Sequence, residues 1–455
     1  MLRAKIEPNE LTKEKVLKLV TDYIASAQYQ QYLRLQRYYE GSQDILNRQA
    51  SPANPEINNQ IVNNFPGYIV DVNIGYFMGN PVSYTAPKEK EDYLMSLQEV
   101  FDLNDEQDKN MILSKTAGIK GHVYELLYVD EEALVRFCAI QPENLILIYS
   151  TLVEPSPLAA IRFWVVPDLF GEDDEDKLFI TLYTADFIID FEGTEDDVVQ
   201  VDQRQNRFGD VPIVEYQNND ERQGDFEKVI SLIDAYDKSQ SDLANDFESF
   251  TDAFLVIRNM SGTTDEDLQD MKRKRVILVD DDGEADWLVK QMNDTAQENY
   301  KVRIQEDIHR FSLTPNLTDD KFAGNVTGVA LQYKLWGLEQ KASQKERKFK
   351  KALQRRIKLI TNFLTLKGKD IDYQDITITF SRNAPQVLTE MVETVTKLRD
   401  FLSDETLMSL LPMVDDPAEE KDRREAERQY EGAIDLDEFS ELDTNNNEEL
   451  LIDES

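Results

Sequence analysis

From Asp225 to Ile257 the chain reads DFEKVISLIDAYDKSQSDLANDFESFTDAFLVI. Val229, Ile233, Tyr236, Leu243, Phe247, Phe250 and Phe254 fall at alternating steps of four and three, with Gln240 in the one polar slot. A 3.5-residue repeat held over more than three heptads demands a helix with a partner along its seam. At 1.5 Å of rise per residue, roughly 30 residues make a rod about 45 Å long. Such a rod is long for a globular core, so the chain must supply other long helices to cover it.

Two later stretches can do so. DTAQENYKVRIQEDIHRFSL reads as a helix that breaks before Pro315, and a longer one spans about 326 to 367. Between Lys334 and Lys358 the longer helix holds ten basic residues against two acids, Glu339 and Glu346. The first two rods are separated by a compact insert. In it FLVIRNM and VILVDDDGEADWLVK read as strands around a short helix, TDEDLQDMKRKR, acidic at its start and basic at its end as the macrodipole prefers. The loop NLTDDKFAGN precedes the long basic helix.

The N-terminal half has a different texture. A helix with Thr12 as N-cap and Gly41 as terminal cap opens the chain, followed by the turn-rich loop NRQASPANPEINN and a shorter helix near 90 to 120. From about 120 to 217, β-branched and aromatic runs alternate with acidic or Pro/Gly turns, which predicts a mainly antiparallel sheet. FGEDDEDK reads as a solvated hairpin tip rather than a metal site, and the lone Cys138 as a small hydrophobe in a strand.

NNFPGYIVDVNIGYFMGNPVSY, residues 63 to 84, is the greasiest stretch. Phe65, Ile69, Val72 and Tyr76 make one helical face, and Tyr68, Val70, Ile74, Phe77 and Met78 spill onto the others. Gly79 sits where a left-handed cap is wanted, and Pro81 forbids continuation. A helix apolar nearly all round must be covered on more than one side, by its own core or by a second subunit.

Charge narrows the function. The 455 residues carry 89 acids and 50 bases, a formal charge of −39. A chain this acidic repels phosphate at range, which argues against a general nucleic-acid grip but not against a protein that lets DNA pass. No internal disulfide is possible, the opening residues are charged, and no run approaches a membrane span. Cytoplasmic synthesis is therefore expected.

Enzyme signatures are missing: there is no phosphate loop, dinucleotide fingerprint, nucleophile elbow or HExxH. His122 and His309 are isolated, and His309 sits in a charged helix where a solvated or interface role is expected. Asp443, Asn445, Asn447 and Glu454 imitate a calcium loop, but Glu448 stands where glycine is required. The segment reads as an acidic tail, with ten acids and no base from Glu431 onward. No metal, cofactor or catalytic residue is expected.

YYEGSQDIL, NNFPGYIVDVNIGYFMGNPVSY, GDVPIVEYQNNDERQGDFEKVISLIDAYDKSQSDLANDFESF and TDDKFAGNVTGVALQYKLWGLEQKASQKERKFKKAL lie in order across most of the chain. Together they resemble the portal proteins of long-tailed bacteriophages that infect Gram-positive bacteria. The resemblance implies an α+β ring subunit with an α/β wing, a long-helix stem, a small α/β clip, a long tunnel-side helix and a helical crown. On this chain it implies a wing at 1–224 and stem helices at 225–253 and 294–315 around a clip at 254–293. A tunnel loop at 316–325, a long basic helix at 326–370, strand and crown helices at 371–430 and an acidic tail at 431–455 follow.

The implied assembly is a homo-oligomeric ring, usually dodecameric, at one capsid vertex of the virion. It passes double-stranded DNA during packaging and ejection. It meets the terminase large subunit, the head-to-tail adaptor, and the major capsid and scaffolding proteins, with no membrane. Implied tunnel-loop residues are Asn316, Asp319, Asp320, Lys321 and Asn325, with Lys321 the single base to test for DNA contact. Clip residues for partner docking are Lys272, Arg273, Lys274, Arg275, Asp280, Asp281 and Asp282. For the subunit interface the candidates are Phe65, Ile69, Tyr76, Phe77, Phe247 and Phe250.

The physics agrees. Each lysine or arginine on a phosphate adds about 0.9 to the log–log salt slope of duplex binding, so a channel lined with bases would hold what it must release. The basic helix is then expected to pair with neighbouring acids, or else to touch DNA transiently. Two rivals remain open from the residues alone: a metal-dependent nucleic-acid-processing enzyme, and a monomeric scaffold or adaptor module.

Overall fold

The structure is a computed structural model. It describes residues 2–5, 10–50, 52, 55–167, 177–249, 254–258, 284–288, 294–318, 328–366, 372–384 and 395–409, with positions 264, 266, 393, 414, 420–421 and 423–427. Several expectations fall outside these residues: the acidic hairpin tip, the helix of the insert with its Lys/Arg and Asp runs, Phe250, and the tunnel loop beyond Thr318. The acidic tail and its calcium-like pattern do so too. The chain divides into two compact units, residues 1–319 with 334–383, and residues 320–333 with 384–455.

The first unit is built in layers around three apolar clusters. Helices α1 (Lys13–Ile24) and α2 (Ala27–Tyr39) open it where one continuous helix was expected. Ser26 divides them, its side chain accepting from the Tyr29 N–H as an N-cap. Gly41, at φ +81, takes the left-handed conformation just beyond α2. Helix α3 (Phe65–Met78) follows, then α4 (Glu91–Leu103) and α5 (Glu106–Lys120), again two helices where one was read.

The strands form two main sheets. One is six-stranded, in the order β1 (Leu2–Arg3), β5 (Leu145–Tyr149), β6 (Pro157–Val166), β7 (Lys177–Tyr183), β8 (Phe187–Gly193) and β9 (Val198–Gln205). It is antiparallel except for the β1–β5 pair. The other has β10 (Ile213–Gln217) beside β3 (His122–Val129) and β4 (Val135–Ile140), all antiparallel. A further pair joins β2 (Ser83–Thr85) to β13 (Thr377–Thr379), and β11 (Phe254–Arg258) pairs antiparallel with β12 (Glu284–Leu288).

Alternation along the strands builds the layers. On β5, Ile146 and Ile148 pack with Val16 and Val20 of α1, while Leu145, Leu147 and Tyr149 face Tyr124 and Leu126 of β3. On β3 the intervening Val123 and Leu127 turn to the largest cluster, shared with α2 through α5 and the long helices. Cys138 is half-buried on β4, and burial pushes its thiol pKa up.

The long helices are α6 (Ile230–Ser249), α7 (Asp294–Ser312) and α8 (Gly328–Leu366). The heptad stretch forms α6 after one 3-10 turn, Glu227–Val229, but its last seam position, Phe254, lies in β11 instead. Val229 and Ile233 of its seam pack with Ile304 and Ile308 of α7 in the main cluster. Toward the far end the seam opens, and Phe247 is 59% exposed. In the second unit, α9 (Asp404–Ser409) buries Leu407 and Met408.

Candidate functional site: where the three long helices meet

Asp225 sits one turn ahead of α6 and is fully buried. Its carboxylate faces Lys341 at 3.1 Å and Lys345 at 2.5 Å, both on α8 and four residues apart on one helical face. The Lys341 ammonium also donates to the backbone carbonyls of Asp225 (3.3 Å) and Ser312 (3.2 Å). One cation therefore ties the entry of α6, the last carbonyls of α7 and the body of α8. A lysine at a helix C-terminus also meets the negative end of the macrodipole.

Burial would raise the Asp225 carboxyl, but the two ammonium groups hold it below its ordinary range. Burial, together with Lys345 nearby, brings Lys341 down to about 8 despite the opposing pull of Asp225.

The chain leaves α7 through Leu313, whose φ of +56 turns it sharply. Helix α3 then holds the emerging segment. Asn73 donates to Thr314 Oγ1 at 2.9 Å; the Tyr68 hydroxyl donates to the Pro315 carbonyl and accepts from the Leu317 N–H, each at 2.8 Å. Asn316, half-buried, accepts from Thr318 N–H and Oγ1. It is the one proposed tunnel-loop residue that the described residues include.

His309 lies against the edges of Phe65 and Tyr68, and its Nδ1 donates to the Thr314 carbonyl at 3.0 Å. Burial lowers its pKa. The expected solvated or interface histidine is instead part of the clamp at the end of α7.

The greasy helix α3 is covered by its own chain. Phe77 is 1% exposed, stacked on Phe380 at 5.5 Å and edge-on to Phe349 at 5.9 Å; Ile69 has no exposure. Full burial of such side chains stabilises by roughly 1.5–3 kcal/mol each. Ile69 and Phe77 are thus corrected from interface to core, since neither has surface left for a neighbour. Phe65 and Tyr76 are half-buried: Phe65 meets Tyr236 edge-on, and Tyr76 donates to Glu339 at 2.7 Å. Gly79 is right-handed at φ −66, not left-handed. Glycine is needed there because a Cβ would collide with the side chain of Asn383.

A second restraint runs along α6. The N–H groups of Asn63, Ile61 and Asn59 donate to Asp237 (2.9 Å), Ser241 (2.9 Å) and Asn245 (2.7 Å). Alternate residues of an extended segment advance about 6.6 Å, and four helical residues about 6 Å, so the two rows register. The heptad reading followed the apolar seam and missed this polar face, although its four-residue spacing was visible.

The bases of α8 are mostly paired. Lys348 bonds Asp220, Arg355 (3.1 Å) and Lys358 (3.4 Å) meet Asp210, and buried Arg356 grips Glu125 and Glu106 at 2.7 and 2.8 Å. Among the described residues no group of His, Cys, Asp or Glu is arranged to hold a metal, and no helix is long and apolar enough to cross a membrane.

A family model described as "Phage portal protein, SPP1 Gp6-like" matches residues 20–433. The chain belongs to the SPP1 Gp6-like phage portal protein family. It is 27% identical over 422 residues to the portal protein of Clostridium phage phiCD119, covering 87% of this chain and 92% of that protein. It is also 27% identical over 394 residues to the portal protein of Bacillus phage SPP1, covering 81% and 76%. The α+β fold and the function are those of a bacteriophage portal protein, a structural family of the capsid vertex involved in DNA packaging. The clip-docking candidates Lys272–Arg275 and Asp280–Asp282, with Asp319, Asp320, Lys321, Asn325 and Phe250, lie outside the described residues.

Proposed function

We propose that this portal protein closes as a homo-oligomeric ring, a dodecamer, whose bore conducts double-stranded DNA into and out of the capsid. The loop 316–325 faces the bore in this reading, the insert 254–293 meets the terminase large subunit and then the head-to-tail adaptor, and the outer flank contacts major capsid and scaffolding proteins. Assembly takes place in the host cytoplasm, and no catalytic residue is assigned. The observation that carries the proposal is the clamp at Lys341, Asp225, Ser312 and Tyr68, which fixes both neighbours of the loop's first residues. A loop that must touch a moving duplex needs a root that does not move with it.

The pairing of six α8 bases supports the same reading, because a paired lysine releases no counterion from DNA. Phe247, exposed at the open end of the α6 seam, and the half-buried Phe65 and Tyr76 remain proposed neighbour contacts. Negative-stain microscopy of the purified chain tests the ring: annular particles with a central hole are expected, and a population of compact monomers at micromolar concentration would refute it.

A further inference from the structure

We infer that adjacent copies dock through two oppositely charged surfaces that no described residue compensates by an ion pair, an acidic groove beside β2 and a basic strip on the outer face of α8. The inference rests on the ring reading above and names a contact within it.

The strip is Arg347, Lys350 and Lys351. Arg347 and Lys351 are exposed and Lys350 is half-buried, and none of the three forms an ion pair with a described residue. Six other bases of the same helix, Lys341, Lys345, Lys348, Arg355, Arg356 and Lys358, all find carboxylates. In so acidic a chain partners are plentiful, so three neighbouring bases without an ion pair among the described residues stand out.

The groove encloses about 800 Å³ between β2 and the α4–α5 turn. Its floor is apolar, with Tyr84 and Phe101 at 4.8 Å between ring centroids. Asp102, Asp105 and Asp108 stand exposed on its rim, without an ion pair to any described residue. At its base Glu106 is 3% exposed. Its Oε1 accepts from Tyr84, Asn110 and Arg356, whereas its buried Oε2 has no partner among the described residues. A buried carboxylate oxygen without a donor is costly, and a cationic side chain entering the groove would answer it.

The two surfaces lie on opposite flanks. Arg356 points from α8 to Glu106 at the groove's base. At 100° per residue, Lys351 and Arg347 lie about 140° and 180° around the helix from Arg356, so the strip faces away from the groove. Head-to-tail closure requires two different, complementary patches on separate flanks, and this placement supplies them. Duplex DNA fits the strip less well. Asp220, Asp210 and Glu346 line its edges in their own ion pairs and would repel phosphates.

The test uses the full chain and two charge reversals, R347E/K351E and D102K/D108K, with the four-site combination; circular dichroism checks the fold. Sedimentation velocity at 150 mM salt should show the concentration for half-assembly rising at least tenfold for each double variant and returning to within threefold of wild type in the combination. Neutral R347Q/K351Q should give a smaller rise in the same direction. Wild-type rings with both reversals assembling normally would sink the contact alone, as would a combination that fails to rescue. Normal assembly of R347E/K351E with loss of binding to a short duplex would reassign the strip to DNA and overturn the proposal. A wild-type chain that stays monomeric refutes the ring reading and this contact with it.

Discussion

Two buried charge clusters sit on the same helix, fifteen residues apart, and they are built differently. Arg356, toward the sheet, donates to Glu125 through Nε (2.8 Å) and Nη2 (2.7 Å), and through Nη1 to Glu106 (2.8 Å) and Asn110 (2.9 Å). It also lies over the Phe137 ring at 4.6 Å. A planar guanidinium with this set of acceptors keeps its charge at any working pH. Lys341, toward the end of α7, is a single ammonium shared among one carboxylate and two carbonyls, and its pKa is near 8. The sheet-side joint is permanent. The joint at the end of α7, where the segment 313–318 is rooted, has a proton it can give up.

The largest expected effect tests the permanent joint. Arg356→Met leaves Glu125 and Glu106 buried without their cation and should cost about 3–5 kcal/mol in urea unfolding. Arg356→Lys should recover little, because one ammonium cannot reproduce the fork. A loss no greater than that at Asp225 would break the comparison.

Asp225→Asn should cost about 3 kcal/mol at pH 7, less than the arginine change because Lys341 can respond by releasing its proton. Folded Lys341 loses that proton near 8, whereas an unfolded lysine keeps it to about 10.4. Between those values the unfolded chain binds more protons, so this group's contribution to stability rises with pH. Melting curves from pH 7 to 10.5 should show the rise in wild type and not in Lys341→Met.

Two smaller changes probe the surroundings of α6 and α7 further. Tyr68→Phe keeps the ring but removes the hydroxyl that serves Pro315 and Leu317; about 1 kcal/mol should be lost, with faster amide exchange at Leu317. Unchanged exchange there would detach Tyr68 from the loop's root.

Asp237 is the mildest case. It is 1% exposed, and burial raises its carboxyl to about 6, against hydrogen bonds from Asn63 and with help from Asp234. An unfolded aspartate titrates near 3.9, so between about 4 and 6 the folded chain binds more protons and this contribution falls as pH rises. Asp237→Asn retains an acceptor for Asn63. It should flatten that slope and leave stability at pH 7 unchanged or raised by about 1 kcal/mol.

Much of the element content was legible because it is local. The seven-residue repeat of α6, the β-branched and aromatic runs of β5 and β6, and the cap at Gly41 each follow from residues a few positions apart. Breaks were harder to read. Ser26 divides a segment whose apolar spacing runs on uninterrupted, and Gly79 is explained by Asn383, over three hundred residues away. The site was least legible: Asn316 was singled out by resemblance, while Asp225, Lys341, Asn73 and Tyr68, which hold its neighbourhood, carry no signal of their own.

By itself the sequence determined that long helices must pair, that strands alternate faces, that the chain is strongly acidic, and that its segments follow the portal order. Only the tertiary structure decided what each surface meets. It turned α3 inward against its own chain and matched six bases of α8 to carboxylates more than a hundred residues distant. The physical reason is range: periodicity and capping act over one or two turns, whereas burial and ion pairing depend on which distant segments the fold brings together.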